Sequence, residues 1–207
     1  MINNPNGGPK DIKEFIEEYT KICEQGFIKS HRKSDTGIGK TLEDLLGITE
    51  NDIQGPDFAD YELKARRINK DNSMVSLFIK APDEKGANNK LRKEYGYKRN
   101  PDDKYNILHL TLEMGTSVGD KKLGLKIVDD KLFITSFDSP IPYAYYQIDG
   151  IMKSLNSKYV TGKAVFAEAE SRGPKSSEEF HYEAAQLATG LNVSHFLSML
   201  EEGLINS

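Results

Sequence analysis

Apolar residues recur along this chain with two different periods, and the alternation between them lays out its elements. At Ile12, Phe15, Ile16, Tyr19, Ile22 and Cys23 the spacing is helical and puts the side chains on one face. A helix is predicted over Lys10 to Glu24, ended by Gly26 and preceded by a start that reads as disordered. A second helix is expected from about Lys40, packing through Thr41, Leu42, Leu45 and Leu46 and stopping at Gly47. From Tyr61 the period falls to two, so Glu62 and Lys64 point to one side of a strand and Leu63 to the other. SMVSLFIK (73–80) reads as a second strand, paired with or beside the first. Residues 81–105, with Pro82, Gly86, Asn88, Asn89, Gly96 and Pro101, read as a long excursion containing some helix.

YNILHLTLE, KLGLKIVDD and KLFITSF read as strands, the last two joined tightly at Asp129-Asp130. YAYYQIDGIMKSL, opened by Pro140 and Pro142, is predicted as helix and YVTGKAVFAEAES as strand. SSEEFHYEAAQLATG has a capping signature, Ser176 or Ser177 ahead of Glu179, and is predicted as helix; NVSHFLSMLEEG is a short last helix. Helices flanking a mixed sheet make the fold class α/β, or α+β.

At 207 residues the chain has room for one domain, with a small lobe at most. No stretch approaches the roughly 20 apolar residues that span a bilayer, and MINNPNGGPK lacks the basic start and apolar run of a secretory signal. A cytoplasmic protein with no membrane contact is expected. The single cysteine excludes an intramolecular disulfide, and its place on a helical apolar face makes it a packed thiol. The net charge of −4 argues against nucleic acid as a partner, but phosphate is met by a patch and not by the total. Lys85 to Lys104 holds seven basic residues against three acidic ones, a local net of +4.

The densest candidate chemistry lies between Gly37 and Lys64. Hydrolysis of a phosphodiester needs a metal to neutralise charge on phosphorus and a group to activate or orient water. Magnesium takes oxygen ligands and keeps several waters, so two carboxylates and a backbone carbonyl suffice. Asp57 and Glu62 offer the carboxylates, Leu63 the carbonyl, and Lys64 would meet the attacking water from the same face as Glu62. Glu43, on the preceding helix, could orient Lys64 or the water, or help hold a second metal. By spacing alone the same residues also read as a solvated strand with ordinary ion pairs.

The neighbouring sequence narrows the choice. GIGKTLEDLLG followed by PDFADYELKA resembles the MvaI/BcnI group of type II restriction endonucleases and, more loosely, the mismatch-repair nickase MutH, both of the PD-(D/E)xK nuclease fold. The match rests on Gly37, Gly39, Leu42, Glu43, Leu46 and Gly47, then Pro56, Asp57, Phe58, Glu62, Leu63 and Lys64. The run AEAESRGPKSSEEFHYEAAQLATG also resembles the restriction family. The resemblance implies a single nuclease domain over 1–207 with Asp57, Glu62 and Lys64 as catalytic core, Glu43 as helix-borne acid and Mg2+ as cofactor. It also implies a monomer that cuts double-stranded DNA at a short site, alongside a cognate DNA methyltransferase. Its alternatives are a strand-specific nickase of the MutH kind and an inert DNA-binding module. Family chains continue past the last predicted helix with basic residues that help read bases, so the target sequence does not carry across.

Several cations are candidates for DNA contact. Lys90, Arg92, Lys93, Lys98 and Arg99 are interleaved with Tyr95 and Tyr97, either as a phosphate clamp or as a solvated face. Arg172 and Lys175 sit in a predicted loop, where arginine could pair with guanine through two hydrogen bonds. His181 follows on a predicted helix, in a packing role or in DNA contact. A recognition lobe would then be formed by 81–105, by 140–180, or by both. Gly37 to Thr41 lacks the first glycine of a phosphate-binding P-loop, and His31, His109 and His195 are too scattered to form a metal cluster.

Overall fold

Helix α1, Ile12–Cys23, begins where Asp11 caps it: the carboxylate accepts from the amides of Lys13 and Glu14 at 2.8 and 2.9 Å, satisfying two donors that a helix start leaves open. Its apolar stripe buries Phe15, Tyr19 and Ile22. In the computed structural model, residues 6–50, 55–68, 75–115, 122–136 and 142–204 are described. The chain divides into two units, Met1–Leu77 with Asn156–Asn192, and Phe78–Leu155 with Val193–Ser207.

The first unit is built on a four-stranded sheet in the order β1 (Ile28–Lys29), β7 (Glu179–Ala188), β6 (Ala164–Arg172), β2 (Glu62–Arg67). β6 and β7 are antiparallel, whereas β2 runs parallel to β6 with Glu62 opposite Ala164 and Arg67 opposite Ala169. The mixed sheet with flanking helices is the expected fold class. Phe15 stacks on Tyr19 and Phe58, with centroids 5.3 and 5.0 Å apart, and Phe58 stacks on Tyr61 at 5.5 Å. Each such pair adds roughly 0.5–1.5 kcal/mol beyond the area it buries. At the far end of β2, Arg67 grips buried Glu178 through Nε and Nη2, both at 2.8 Å.

Helix α2, Gly37–Leu45, starts three residues before the expected position at Lys40. Gly37 makes this possible, because a Cβ there would lie 2.5 Å from the Arg32 carbonyl and 2.6 Å from Ser30 Oγ. The chain start is also ordered from Asn6: Thr49 donates its amide to the Asn6 carbonyl at 2.7 Å, and Gly7 bridges to Ile48. Residues 6–9 are not the disordered lead that their composition suggests.

The predicted helix over SSEEFHYEAAQLATG is strand β7. Its alanines and glutamates favour helix, but Phe180 and Tyr182 are fully buried on either side of half-exposed His181, a period of two. Pairing with β6 along its length outweighs local propensity. Residues 75–80 form no strand, and β2 pairs with β6 instead; Ser73 and Met74 lie outside the described residues.

The second unit holds α3 (Ala87–Tyr95) and an antiparallel sheet of β3 (Leu123–Val128), β4 (Lys131–Ser136) and β5 (Pro142–Gln147). Asp129, at φ +53°, makes the expected tight β3–β4 turn. YAYYQIDGIMKSL is strand first and helix second, β5 passing into α4 (Ile148–Lys158), because Leu132 to Ile134 of β4 pair with 144–146. Pro140 lies outside the described residues. YNILHLTLE is not a strand: it meets its neighbours through isolated bridges, Tyr97 to Ile107 and Met114 to Leu125 at its flank, with Leu125 donating to the Glu113 carbonyl. Leu91, Leu123, Leu125, Leu132, Ile151 and, from α5 (Val193–Glu201), Leu200 form this unit's core. No helix among the described residues is long and apolar enough to cross a membrane.

Candidate active site

Four residues separate Asp57 from Glu62, and the chain between them doubles back. Phe58 and Tyr61 exchange backbone hydrogen bonds of 3.2 and 2.8 Å around a tight turn in which Ala59 sits at φ +45°. A residue with a Cβ loses roughly 1–2 kcal/mol in that left-handed region, so the turn is held by its surroundings. Phe58 is fully buried in the aromatic stack. On the near side, buried Asn6 donates its side-chain amide to the Pro56 carbonyl at 3.0 Å and to the Asp57 carbonyl at 3.4 Å. The result brings Asp57 back onto β2, where its Oδ2 accepts from the Leu63 amide at 2.7 Å.

That bond also locates the Leu63 carbonyl. In a parallel strand the amide and carbonyl of one residue face the same edge, and those of the next face the other. Glu62 donates to Lys163 and Ile68 to Ala169, both toward β6. Leu63 therefore turns its amide and carbonyl to the unpaired edge of β2, beside Asp57, while its side chain enters the core at 6% exposure.

Glu62 and Lys64 share the opposite side-chain face, and Lys64 Nζ donates to Glu62 Oε1 at 2.6 Å. Glu62 is only 1% exposed, and its Oε2 is, among the described residues, the one buried side-chain oxygen with no hydrogen-bond partner. Burial, and next the negative charge of Asp57, hold its carboxyl above the usual range against the pull of Lys64. Glu43, half-buried on α2, is also pushed up, first by burial and then by Asp57. Asp57 thus bears electrostatically on both acids.

A buried carboxylate oxygen without a donor, beside further acids, is suited to a cation. Two carboxylates, one with a buried oxygen lacking a donor, and a backbone carbonyl at a free strand edge are the oxygen set that magnesium takes. The residues present fit the metal, with Asp57, Glu62 and the Leu63 carbonyl as the groups that would hold it.

Two neighbours carry no signal in the sequence. Lys158, the last residue of α4, places Nζ 3.8 Å from Glu62 Oε1. Tyr159, 5% exposed, donates its hydroxyl to the Leu77 carbonyl at 3.3 Å; burial, then the charges of Glu62 and Asp57, raise its pKa. Elsewhere Glu170, His181 and Glu183 bring ligand atoms within 4.8 Å of one another on β6 and β7, a group the histidine spacing does not reveal. His181 lies on a strand and not on the predicted helix, and its ring packs 5.4 Å from Phe27.

The remaining predicted DNA contacts are dispersed. Arg172 ends β6, pairs with Glu179 at 2.6 Å and lies 3.9 Å over the Phe27 ring; Lys175 pairs with Asp35 at 2.5 Å. Lys90, Arg92 and Lys93 are on α3 of the second unit, with Lys98 and Arg99 exposed just after it. Lys90 pairs with Glu84 at 2.6 Å, and Arg92 lies 5.4 Å over Tyr105.

The chain is similar in structure to restriction endonuclease MvaI in a complex with its cognate DNA substrate, with TM-score 0.77 and 27% identity over 95% of this chain and 82% of that one. MvaI without DNA matches at TM-score 0.47 and 27% identity, over 92% of this chain and 85% of that one. No curated protein sequence matches. The MvaI/BcnI restriction endonuclease family model matches residues 16–207. The chain therefore belongs to the MvaI/BcnI restriction endonuclease family and is a site-specific deoxyribonuclease.

Proposed function

We propose that this enzyme hydrolyses phosphodiester bonds of duplex DNA at a short specific sequence, using Mg2+ held by Asp57, Glu62 and the Leu63 carbonyl. The observation that carries the proposal is the Lys64–Glu62 pair at 2.6 Å, with the other Glu62 oxygen buried and without a donor. When bound, the metal would supply charge neutralisation at phosphorus and a more acidic water. Lys64 holds Glu62 in place and keeps an ammonium beside the position from which water attacks. The β2 backbone orients Asp57 through the Leu63 amide. Glu43 adds negative charge that draws a cation in and helps order its water.

Recognition is assigned to the cations of 81–105 and 140–180, with Lys90, Arg92, Lys93, Lys98 and Arg99 contacting phosphates and Arg172 and Lys175 reaching a groove, and to His181 just beyond them. Arg172 and Lys175 would exchange their present carboxylate partners for DNA. The enzyme acts as a cytoplasmic monomer beside a methyltransferase that protects the same site, since a cell must shield its own copies of any sequence it cuts.

Digestion of a fully sequenced plasmid with Mg2+, followed by mapping of the ends, tests this reading. Supercoiled DNA should pass to linear fragments with ends at one recurring sequence, and Lys64→Ala should bind DNA without cutting it. Accumulation of open circle alone would favour a strand-specific nickase; near-normal cutting by Lys64→Ala would overturn the assignment.

A further inference from the structure

Glu62 Oε1 faces two ammonium groups where one would balance its charge. Lys64 Nζ makes the hydrogen bond, at 2.6 Å and 20% exposure. Lys158 Nζ stands 3.8 Å from the same oxygen, beyond hydrogen-bond length, and is 44% exposed. The second lysine therefore adds positive charge beside Glu62 while leaving its N–H donors free of the carboxylate.

Its position is not that of a drifting surface side chain. Lys158 closes α4, and the next residue, Tyr159, is buried and tied to the Leu77 carbonyl. The backbone that carries Lys158 is thus held by its buried neighbour, and from there Nζ reaches to 3.8 Å from Glu62 Oε1. A lysine ammonium is a compact point charge with three donors, well matched to a phosphate oxygen that gains charge during displacement.

We propose that Lys158 is a second catalytic lysine, which binds a non-bridging oxygen of the phosphodiester being cut and stabilises the charge that develops there. The assignment rests on the phosphodiesterase reading of the site and adds a substrate contact that the Asp57, Glu62 and Lys64 motif does not contain. Lys64 serves the water side and Lys158 the phosphate.

The test uses the full chain as wild type, Lys158→Gln, Lys158→Arg and Lys64→Ala on a duplex containing the mapped site. Affinity is measured in calcium across a salt series, single-turnover cleavage in magnesium, and melting temperature for each protein. For Lys158→Gln the proposal expects cleavage to fall about 100-fold or more, as when one donor to a developing oxyanion is lost. The slope of log affinity against log salt should shrink by about 1, the mark of one lost phosphate contact. Lys158→Arg should restore most of the slope and part of the rate, and melting should move little in either variant. Cleavage within about 2-fold of wild type with an unchanged salt slope would overturn it, as would a lowered melting temperature with the slope intact, which marks a purely structural ion pair. If the wild type fails to cut with any divalent metal, the reading of the whole site falls. If the wild type cuts, Lys64→Ala does not and Lys158→Gln does, only the role of Lys158 falls.

Discussion

Two lysine–glutamate pairs in this molecule have the same length, 2.6 Å, and opposite meaning. Lys64 and Glu62 in the first unit are 20% and 1% exposed, whereas Lys90 and Glu84 in the second are 63% and 34% exposed. The exposed pair sits in water, where such contacts are worth about 0–1 kcal/mol and yield readily to salt or to a phosphate. Around the buried pair the dielectric is low, a second carboxylate lies close by, and one oxygen has no donor. Distance makes the two look alike; burial sets them apart.

The largest expected effect comes from removing what packs under the turn that brings Asp57 to the first pair. Phe58→Ala takes the centre out of the aromatic stack under the Asp57 turn, and urea unfolding should show a loss of about 3–5 kcal/mol. A loss under about 1 kcal/mol would mean that the stack does not hold the site. Next is Lys64→Ala, for which single-turnover cleavage should fall about 100- to 1,000-fold. Asn6→Ala leaves the Pro56 and Asp57 carbonyls without their donor and should cost about 1–3 kcal/mol, with a drop in cleavage rate under conditions where the protein remains folded.

A subtler effect is expected of Glu43→Gln. Burial and the charge of Asp57 raise the Glu43 carboxyl above its usual 4.5, so the metal-free folded protein holds this proton more tightly than the unfolded chain does. Its contribution is fully present below about pH 4.5 and is lost as pH rises through the raised folded value. Unfolding free energies of the variant and wild type, measured without metal, should agree near pH 4 and diverge in favour of the variant toward pH 8. A constant difference across that range would show that Glu43 does not titrate as described. The smallest effect is that of Lys90→Ala, whose unfolding free energy should stay within about 1 kcal/mol of wild type. Its salt slope for DNA should drop by about 1 if the exposed pair opens to a phosphate.

The legibility of the molecule follows the same divide. Glu62 and Lys64 meet because they are two residues apart on a strand, and Asp57 joins them through a turn only four residues long. Contacts of that range are written in local spacing. Lys158 reaches Glu62, and Asn6 reaches Pro56 and Asp57, only through the tertiary fold, and nothing near them in the chain marks the meeting. The error at β7 has the same origin. The glutamates and alanines of residues 179–188 favour helix, and their ladder to β6 makes the segment a strand. For YNILHLTLE the mistake runs the other way, since apolar alternation suggests a strand but only isolated bridges form.

The proposed chemistry requires Glu62 and Asp57 to share a divalent cation, and linkage between metal and DNA measures that directly. Duplex affinity is determined with and without calcium for wild type and Glu62→Gln, at constant ionic strength. Calcium should tighten wild-type binding by about tenfold or more, and Glu62→Gln should lose this dependence, whatever its affinity without metal. Equal wild-type affinity with and without calcium, or undiminished dependence in Glu62→Gln, would contradict it.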